Sequence, residues 1–261
     1  MIPKIIHYTW FSGEEYPTQI KECIDSWHKY MPEYDYCLWD YDRVRDIDFP
    51  FLREALQMKK WAFAADLVRL YAVYNYGGIY LDTDVEVLKS FDSLLDNKAF
   101  IGREGSICLP NLRRRGFSRY LTSHCFGAER GHLFIKDCMD YYADRHFILS
   151  SNERQPEYFR MNMVLAPYIQ YEIALQYGYD SHPFHETIQK LKEGLMIMPY
   201  RYFDPANNDK DSFCRHLALG EWVSEQLKQS KRVKRNQLLN LLVKITRNYL
   251  KRKNYLLIKI D

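Results

Sequence analysis

The chain has 261 residues, 47% of them hydrophobic and 16% aromatic, with a formal net charge of +3. That composition excludes a disordered polymer, and the length allows one large domain with a full core or two small ones. The six cysteines, at positions 23, 37, 108, 125, 138 and 214, form no CxxC pair, and the opening MIPKIIHYTWFSG lacks the apolar run of a signal peptide. The expectation is therefore reduced, buried thiols in a cytoplasmic protein without a zinc site. Charge is uneven. Residues 228–261 carry 11 Lys and Arg and one Asp, net +10, and the remainder carries 26 basic and 33 acidic residues, net −7. This is an acidic body with a basic tail. The 22 tyrosines and five tryptophans combine an apolar body with a polar tip, which suits sugar faces and nucleobases as well as an aromatic core.

In chain order, IPKIIHYTW is a β-branched first strand between Pro3 and Gly13. Ile20, Ile24 and Trp27 recur at near-helical spacing after Pro17, and YDYCLWD alternates as a second strand. Strand, helix and strand at this spacing predict a βαβ unit with parallel pairing. WAFAADLVRLYAVYNY, residues 61–76, is the clearest helix, stopped by Gly77 and Gly78. KAFIG and TSHCFGAE read as strands. HLFIKDCMDYYADRHF and YFRMNMVLAPYIQYEIALQY read as helices, the second bent at Pro167. GLMIMPY is a short apolar strand, and 203–215 is polar and loop-like. There is no internal repeat. One catalytic-size domain, 1–225, with an appended tail, 226–261, is the simplest partition.

The chemistry is concentrated in YNYGGIYLDTDVEVL, where the apolar Ile79-Tyr80-Leu81 runs into Asp82-Thr83-Asp84. Two carboxylates converging where a strand ends repel each other unless a cation sits between them. Mg²⁺ and Mn²⁺ take oxygen ligands and are commonly held by one or two carboxylates plus substrate phosphates. Open α/β sheets bind ligands at the carboxyl ends of their strands, so place and chemistry agree. The two glycines allow close backbone approach at this end. An Asp-x-Asp in a surface turn is the alternative. On the preceding helix, Asp66 and Arg69 share a face among Ala64, Ala65, Leu67, Val68 and Leu70. Such a pair is either a structural ion pair or a ligand contact.

AADLVRLYAVYNYGGIYLDTDVEVL resembles the DxD region of glycosyltransferase family 32, in which a D-x-x-R helix precedes G-G-x-Y-x-D-x-D. Here those positions are Asp66, Arg69, Gly77, Gly78, Tyr80, Asp82 and Asp84. The opening IPKIIHYTWFSG is similar to the family's first strand, and the resemblance covers about the first hundred residues. It implies a GT-A-like α/β fold, a mixed and mainly parallel Rossmann-like sheet flanked by helices. It also implies a nucleotide-sugar donor and Mn²⁺ or Mg²⁺. Trp10 would then stack on the nucleobase, with His7 structural. Asp66 and Arg69 would contact the donor sugar and diphosphate, and Tyr80 would join the donor site. Asp84 would bind the metal directly, with Asp82 bridging ribose and metal. The family often closes its domain with H-H-W-x-x-S-W. HLALGEW keeps His216 and Trp222 but has Glu221 in place of the Ser. His216 or Glu221 would complete the metal shell, and Trp222 would close over the donor. Asn162 falls where related enzymes place a polar residue beside the anomeric carbon.

The implied activity is retaining transfer of a hexose, with a UDP-sugar favoured, to a glycan or lipid-linked glycan in capsule or lipopolysaccharide synthesis. In the tail, Leu238, Leu241, Leu242, Ile245 and Tyr249 fall on one helical side, with Lys244, Arg247 and Lys251 on the other. This fits an interfacial helix on anionic lipid, placing the protein on the inner face of the cell membrane. Docking on the acidic body is the alternative, and no recognition motif supports nucleic acid. Two other classes remain: a non-catalytic scaffold of the same fold, and an aspartyl phosphatase. The phosphatase pattern needs Thr or Val where Glu86 stands.

Overall fold

A computed structural model of the chain describes residues 1–104, 120–182, 187–204 and 210–219. The elements in order are β1 (Ile5–Thr9), α1 (Thr18–Tyr30), β2 (Asp35–Trp39), α2 (Tyr41–Val44), α3 (Pro50–Gln57), α4 (Trp61–Tyr76), β3 (Gly78–Leu81) and β4 (Val85–Val87). They continue with β5 (Ala99–Arg103), β6 (Leu121–Ala128), α5 (Leu133–Asp140), α6 (Glu157–Arg160), α7 (Ala166–Gln176), β7 (Gln189–Lys190), β8 (Leu195–Met198) and β9 (Cys214–His216).

A seven-stranded sheet runs β2-β1-β3-β6-β5-β8-β7, and β4 pairs with β9 in a separate two-stranded sheet. β1 is parallel to β2 and β3, and β5 is parallel to β8. β6 is antiparallel to both β3 and β5. The mixed α/β sheet flanked by helices, with the parallel β1–α1–β2 unit, is the architecture that the sequence implied. Alternation along the strands builds a core on each face. Tyr80, Ile101 and Phe126 join the cluster under α3, α4, α5 and α7, while Ile79, Leu81, Phe100 and Cys125 join the cluster containing Trp27, Phe91 and Phe203.

Two packing details position β3 and β4. Helix α1 buries Ile20, Cys23 and Trp27 at i, i+3 and i+7, and the Trp27 indole N–H donates to the Val85 carbonyl at 2.7 Å. This ties the start of β4 to the body, and truncating so large a buried ring costs about 3–5 kcal/mol. Helix α4 is all-helix-forming and ends at Gly77, whose φ of 68° lets the chain reverse directly into β3. At Gly78 (φ 106°) a Cβ would come within 2.6 Å of the Ile5 carbonyl oxygen. The two glycines therefore serve the close approach of β3 to β1 at the strand's start. The expectation that they allow close backbone approach at the carboxylate end is corrected.

Three local expectations also change. Helix α5 stops at Asp140, and 145–147 lies outside helix. The stretch 158–177 is not one bent helix. It is the end of α6, an extended 161–165, and α7. Pro167 sits in the first turn of α7, where its missing N–H costs nothing, so it starts the helix rather than bending it. The polar 203–215 ends in strand β9, because Cys214-Arg215-His216 finds pairing partners in Val87-Glu86-Val85. Residues 205–209 and the tail 226–261 lie outside the described residues. The described cysteines, Cys23, Cys37, Cys125, Cys138 and Cys214, are free thiols, as expected.

Candidate metal centre

Asp82 follows β3 directly and Asp84 precedes β4. The spacing to Arg69 follows from the geometry of the two elements. Arg69 lies eight residues before Gly77, roughly 12 Å back along a helix. Asp82 lies four residues beyond Gly78, roughly 13 Å forward along a strand. Because α4 packs back along β3, the two residues come level. The Arg69 Nη2 is 3.1 Å from Asp66 Oδ1 and 3.3 Å from Asp82 Oδ1. Its Nε–H donates to the Ala65 carbonyl at 3.1 Å, its Nη1 donates to the Ser123 carbonyl at 2.7 Å, and the guanidinium lies 4.8 Å from the Tyr80 ring centre. Arg69 is buried and fully engaged by the protein. Tyr80, expected among the donor contacts, is also fully buried. Its hydroxyl donates to Asp82 Oδ1 at 2.8 Å and meets Thr9 Oγ1 at 3.2 Å. It reaches the site by orienting Asp82.

The electrostatics of this group follow from burial. Desolvation drives the Asp66 carboxyl up to about 7. Arg69 opposes this only in part, because Asp82 shares its charge and repels Asp66. Burial works against the Arg69 charge as well, but Asp82, then Tyr80 and Asp66, hold it above its usual range.

Asp84 has different partners. Its Oδ1 lies 3.1 Å from His216 Nε2, its Oδ2 accepts the Leu219 N–H at 3.0 Å, and its carbonyl accepts the Leu217 N–H at 2.9 Å. Burial would raise the Asp84 carboxyl, but the His216 hydrogen bond and charge outweigh it and hold the carboxyl below its ordinary value. His216 is the mirror image. Burial lowers it, the Asp84 hydrogen bond and charge prevail, and it rises to about 9. One ligand atom each from Asp82, Asp84 and His216 lies within 4.8 Å of the others. Two carboxylates and an imidazole form a donor set that suits Mn²⁺, and the carboxylates suit Mg²⁺. The set also balances its charge with a proton on His216, which a divalent cation can replace. The residues fit the group.

The structure thus brings together Asp66, Arg69, Tyr80, Asp82, Asp84 and His216. Trp10 follows β1, the parallel neighbour of β3, so it lies at the same edge of the sheet. It is half-buried, its indole N–H donates to the Glu14 carbonyl at 2.7 Å, and its ring meets Tyr16 edge-on. His7 is structural, as expected. Its Nε2–H donates to the Gly77 carbonyl at 2.8 Å, and its Nδ1 accepts the Trp39 indole N–H at 3.2 Å. Burial lowers it to about 4. Asn162 is buried, and its backbone N–H donates to the Phe147 carbonyl at 2.7 Å. No hydrogen bond of its side chain joins it to the Asp66–Arg69 group among the described residues. It precedes α7 by four residues, and the first N–H of that helix, at Ala166, bonds to Asp66. Glu221 and Trp222 lie outside the described residues.

Sequence reasoning missed His124. It sits on β6 beside Ser123, which accepts from Arg69, and its carbonyl accepts the Asp82 N–H at 2.9 Å. Its imidazole stacks on His216, with centres 4.4 Å apart and planes 20° apart. The signal in the chain was a histidine following Thr122 and Ser123 in the strand LTSHCFGA.

Residues 17–101 match the family model described as a glycosyltransferase sugar-binding region containing the DXD motif. The site and this segment define a sugar-binding region of the DXD class. In this segment the chain is similar to glycosyltransferases of the DXD class, the resemblance that its motifs carry. An inositol phosphoceramide mannosyltransferase 3 of Schizosaccharomyces pombe is 33% identical over 141 residues, 51% of this chain and 35% of that one. The mannosyl phosphorylinositol ceramide synthase SUR1 of Saccharomyces cerevisiae is 30% identical over 120 residues, 42% of this chain and 30% of that one. The matches span about a third of these relatives' length. Among solved structures, the PaToxG glycosyltransferase superposes with a TM-score of 0.44 at 17% identity, covering 67% of this chain and 69% of that one. No helix among the described residues is long and apolar enough to cross a membrane.

Proposed function

We propose that the chain is a metal-dependent, retaining glycosyltransferase that moves a hexose from a nucleotide-sugar to a glycan or lipid-linked acceptor. The observation that carries this reading is the Asp82–Asp84–His216 cluster at the edge of the sheet, inside and beside the matched DXD segment. The assignment of 1–225 as catalytic domain and 226–261 as basic tail belongs to the same proposal. So does attachment of the tail to anionic lipid on the inner face of the cell membrane.

The difficulty of the reaction is the charge that gathers on the departing nucleoside diphosphate. Asp82, Asp84 and His216 would hold a Mn²⁺ or Mg²⁺ ion, which would supply Lewis-acid neutralisation of that charge. Arg69 contributes indirectly. Already bonded to Ala65, Ser123, Asp66 and Asp82, it fixes the carboxylates before the donor arrives, so no reorganisation is needed as charge develops. Asp66, with a carboxyl near 7, can accept from or donate to donor sugar hydroxyls. Trp10 offers an aromatic face to the base. The transition state is oxocarbenium-like. With no covalent nucleophile evident, the acceptor hydroxyl gives its proton to the departing phosphate on the same face, and its oxygen takes the anomeric carbon as the sugar–phosphate bond breaks. The relatives' names put mannose beside the UDP-sugars favoured from the sequence, and their lipid substrates favour a lipid-linked acceptor over a free glycan. A surface polysaccharide is the product class that the sequence favours.

The test is donor hydrolysis and thermal stability with UDP- and GDP-sugars, with and without Mn²⁺. A Mn²⁺-dependent rise in Tm with one nucleotide, together with slow hydrolysis of its sugar, is expected. Intact donors and an unmoved Tm across the whole panel would leave a non-catalytic scaffold as the better account.

A further inference from the structure

We infer that His124 is a positioning residue for the metal centre, joining the two chain segments that supply its ligands. The inference rests on the reading of Asp82, Asp84 and His216 as metal ligands. Those ligands come from separate places: Asp82 and Asp84 from the turn after β3, and His216 from the last residue of β9. Among the described residues β9 pairs only with three-residue β4, and a two-stranded ribbon of that size is weak on its own. Something must set the position of the His216 ring against the Asp-x-Asp turn.

His124 touches both sides. Its carbonyl accepts the Asp82 N–H at 2.9 Å, which fixes the turn's first residue to β6. Its imidazole lies face to face with His216, centres 4.4 Å apart at 20°. The His124 ring is itself held. It is buried, and its Nε2–H donates to the Phe203 carbonyl at 3.2 Å, which sets its tautomer and its plane. Strand β6 pairs with β3 over Cys125–Ala128 and with β5 over Phe126–Ala128, so His124 stands directly before a stretch paired on both edges, at the irregularity opposite Ile101–Arg103.

The stack matters most when a cation is present. In this structure the His216 ring hydrogen-bonds Asp84, stacks on His124 and faces the Asp82 carboxylate. Asp84 and His216 would hold a bound cation between them, where their hydrogen bond now lies. The stack is then the protein contact that still orients the imidazole. Without it, ring rotation must be frozen at the expense of metal affinity. Outer contacts of this kind are worth about 10- to 100-fold in metal affinity.

The experiment measures Mn²⁺ affinity by calorimetry, and nitrogen coupling to bound Mn²⁺ by pulsed electron paramagnetic resonance. The proteins are the full-length wild type, His124→Ala, His124→Phe and Asp84→Asn. Wild type is expected to bind Mn²⁺ with an imidazole nitrogen signal. His124→Ala should bind about 10-fold more weakly and lose most of that signal. His124→Phe keeps a ring to stack on and should recover much of both, which separates positioning from a folding defect. Asp84→Asn reports on the underlying site and should lose binding outright. Wild-type affinity and an intact nitrogen signal in His124→Ala would overturn the role of His124 while leaving the metal site standing. Absence of Mn²⁺ binding in wild type would overturn the metal reading and this inference with it.

Discussion

Asp82 and Asp84 stand two positions apart, yet their surroundings differ in kind. Asp82 belongs to a closed group. Arg69, Tyr80 and the His124 carbonyl hold it, and Arg69 in turn is held by Ala65, Ser123 and Asp66. Asp84 belongs to an open one. Its partner is a histidine carrying a proton that can be exchanged, on a short ribbon. The first group is fixed before any ligand arrives, and the second can trade a proton for a cation. The difference shows how a site can be preorganised and still receive a metal: one carboxylate is locked, and its neighbour is left adaptable.

If that division is right, the two halves fail differently. Arg69→Met should produce the largest change. It leaves buried Asp66 and half-buried Asp82 without their cation, at about 3–5 kcal/mol of stability. A urea midpoint close to wild type would show that the group is not closed. Asp84→Asn should do the reverse. Turnover should fall on the order of 100-fold or more, as expected when metal-assisted charge stabilisation is lost. Stability should fall less than in Arg69→Met, because the amide keeps an acceptor for His216 and stays uncharged. A large drop in Tm would erase the distinction between the halves.

Acid should reach the closed half through its footing. His7 bridges Gly77 and Trp39 beneath the α4–β3 turn as a neutral ring. Burial, with Arg43 adding and the Gly77 hydrogen bond opposing, holds it at about 4. The unfolded chain takes up a proton near pH 6.5, before the folded one does. Its contribution is therefore complete above about 6.5 and is lost as pH falls towards 4, amounting to about 3 kcal/mol. Urea unfolding from pH 7 to pH 4 should be shallower in pH for His7→Gln, and an unchanged slope would remove His7 from the account. The smallest effect is expected at Trp10, outside both halves. Trp10→Ala should raise the donor KM about 10-fold, the scale of one lost aromatic–base stack, with kcat and Tm little changed. Loss of kcat instead would place Trp10 nearer the reacting bond.

Much of the closed half was legible in the chain, because its parts are local. An uninterrupted helix, a glycine stop and an apolar strand place Arg69 level with Asp82 by rise per residue alone. Asp66, Arg69, Asp82 and Asp84 could be named before any coordinates, and so could the parallel β1–α1–β2 unit. The open half was harder. His216 was singled out only through a family pattern, and β9 was read as loop, since a three-residue stretch pairs only when a partner strand is offered.

What the sequence determined by itself was therefore what short-range geometry dictates: helix and strand periods, the turn between them, and the two carboxylates where the strand ends. The tertiary structure decided the rest. It committed Arg69 and Tyr80 to holding Asp82. It moved the work of Gly78 to the contact with β1. It also brought His124 face to face with a histidine ninety-two positions later in the chain. Such contacts depend on which strands become neighbours, and that choice is made by burial over the whole sheet, where no local pattern records it.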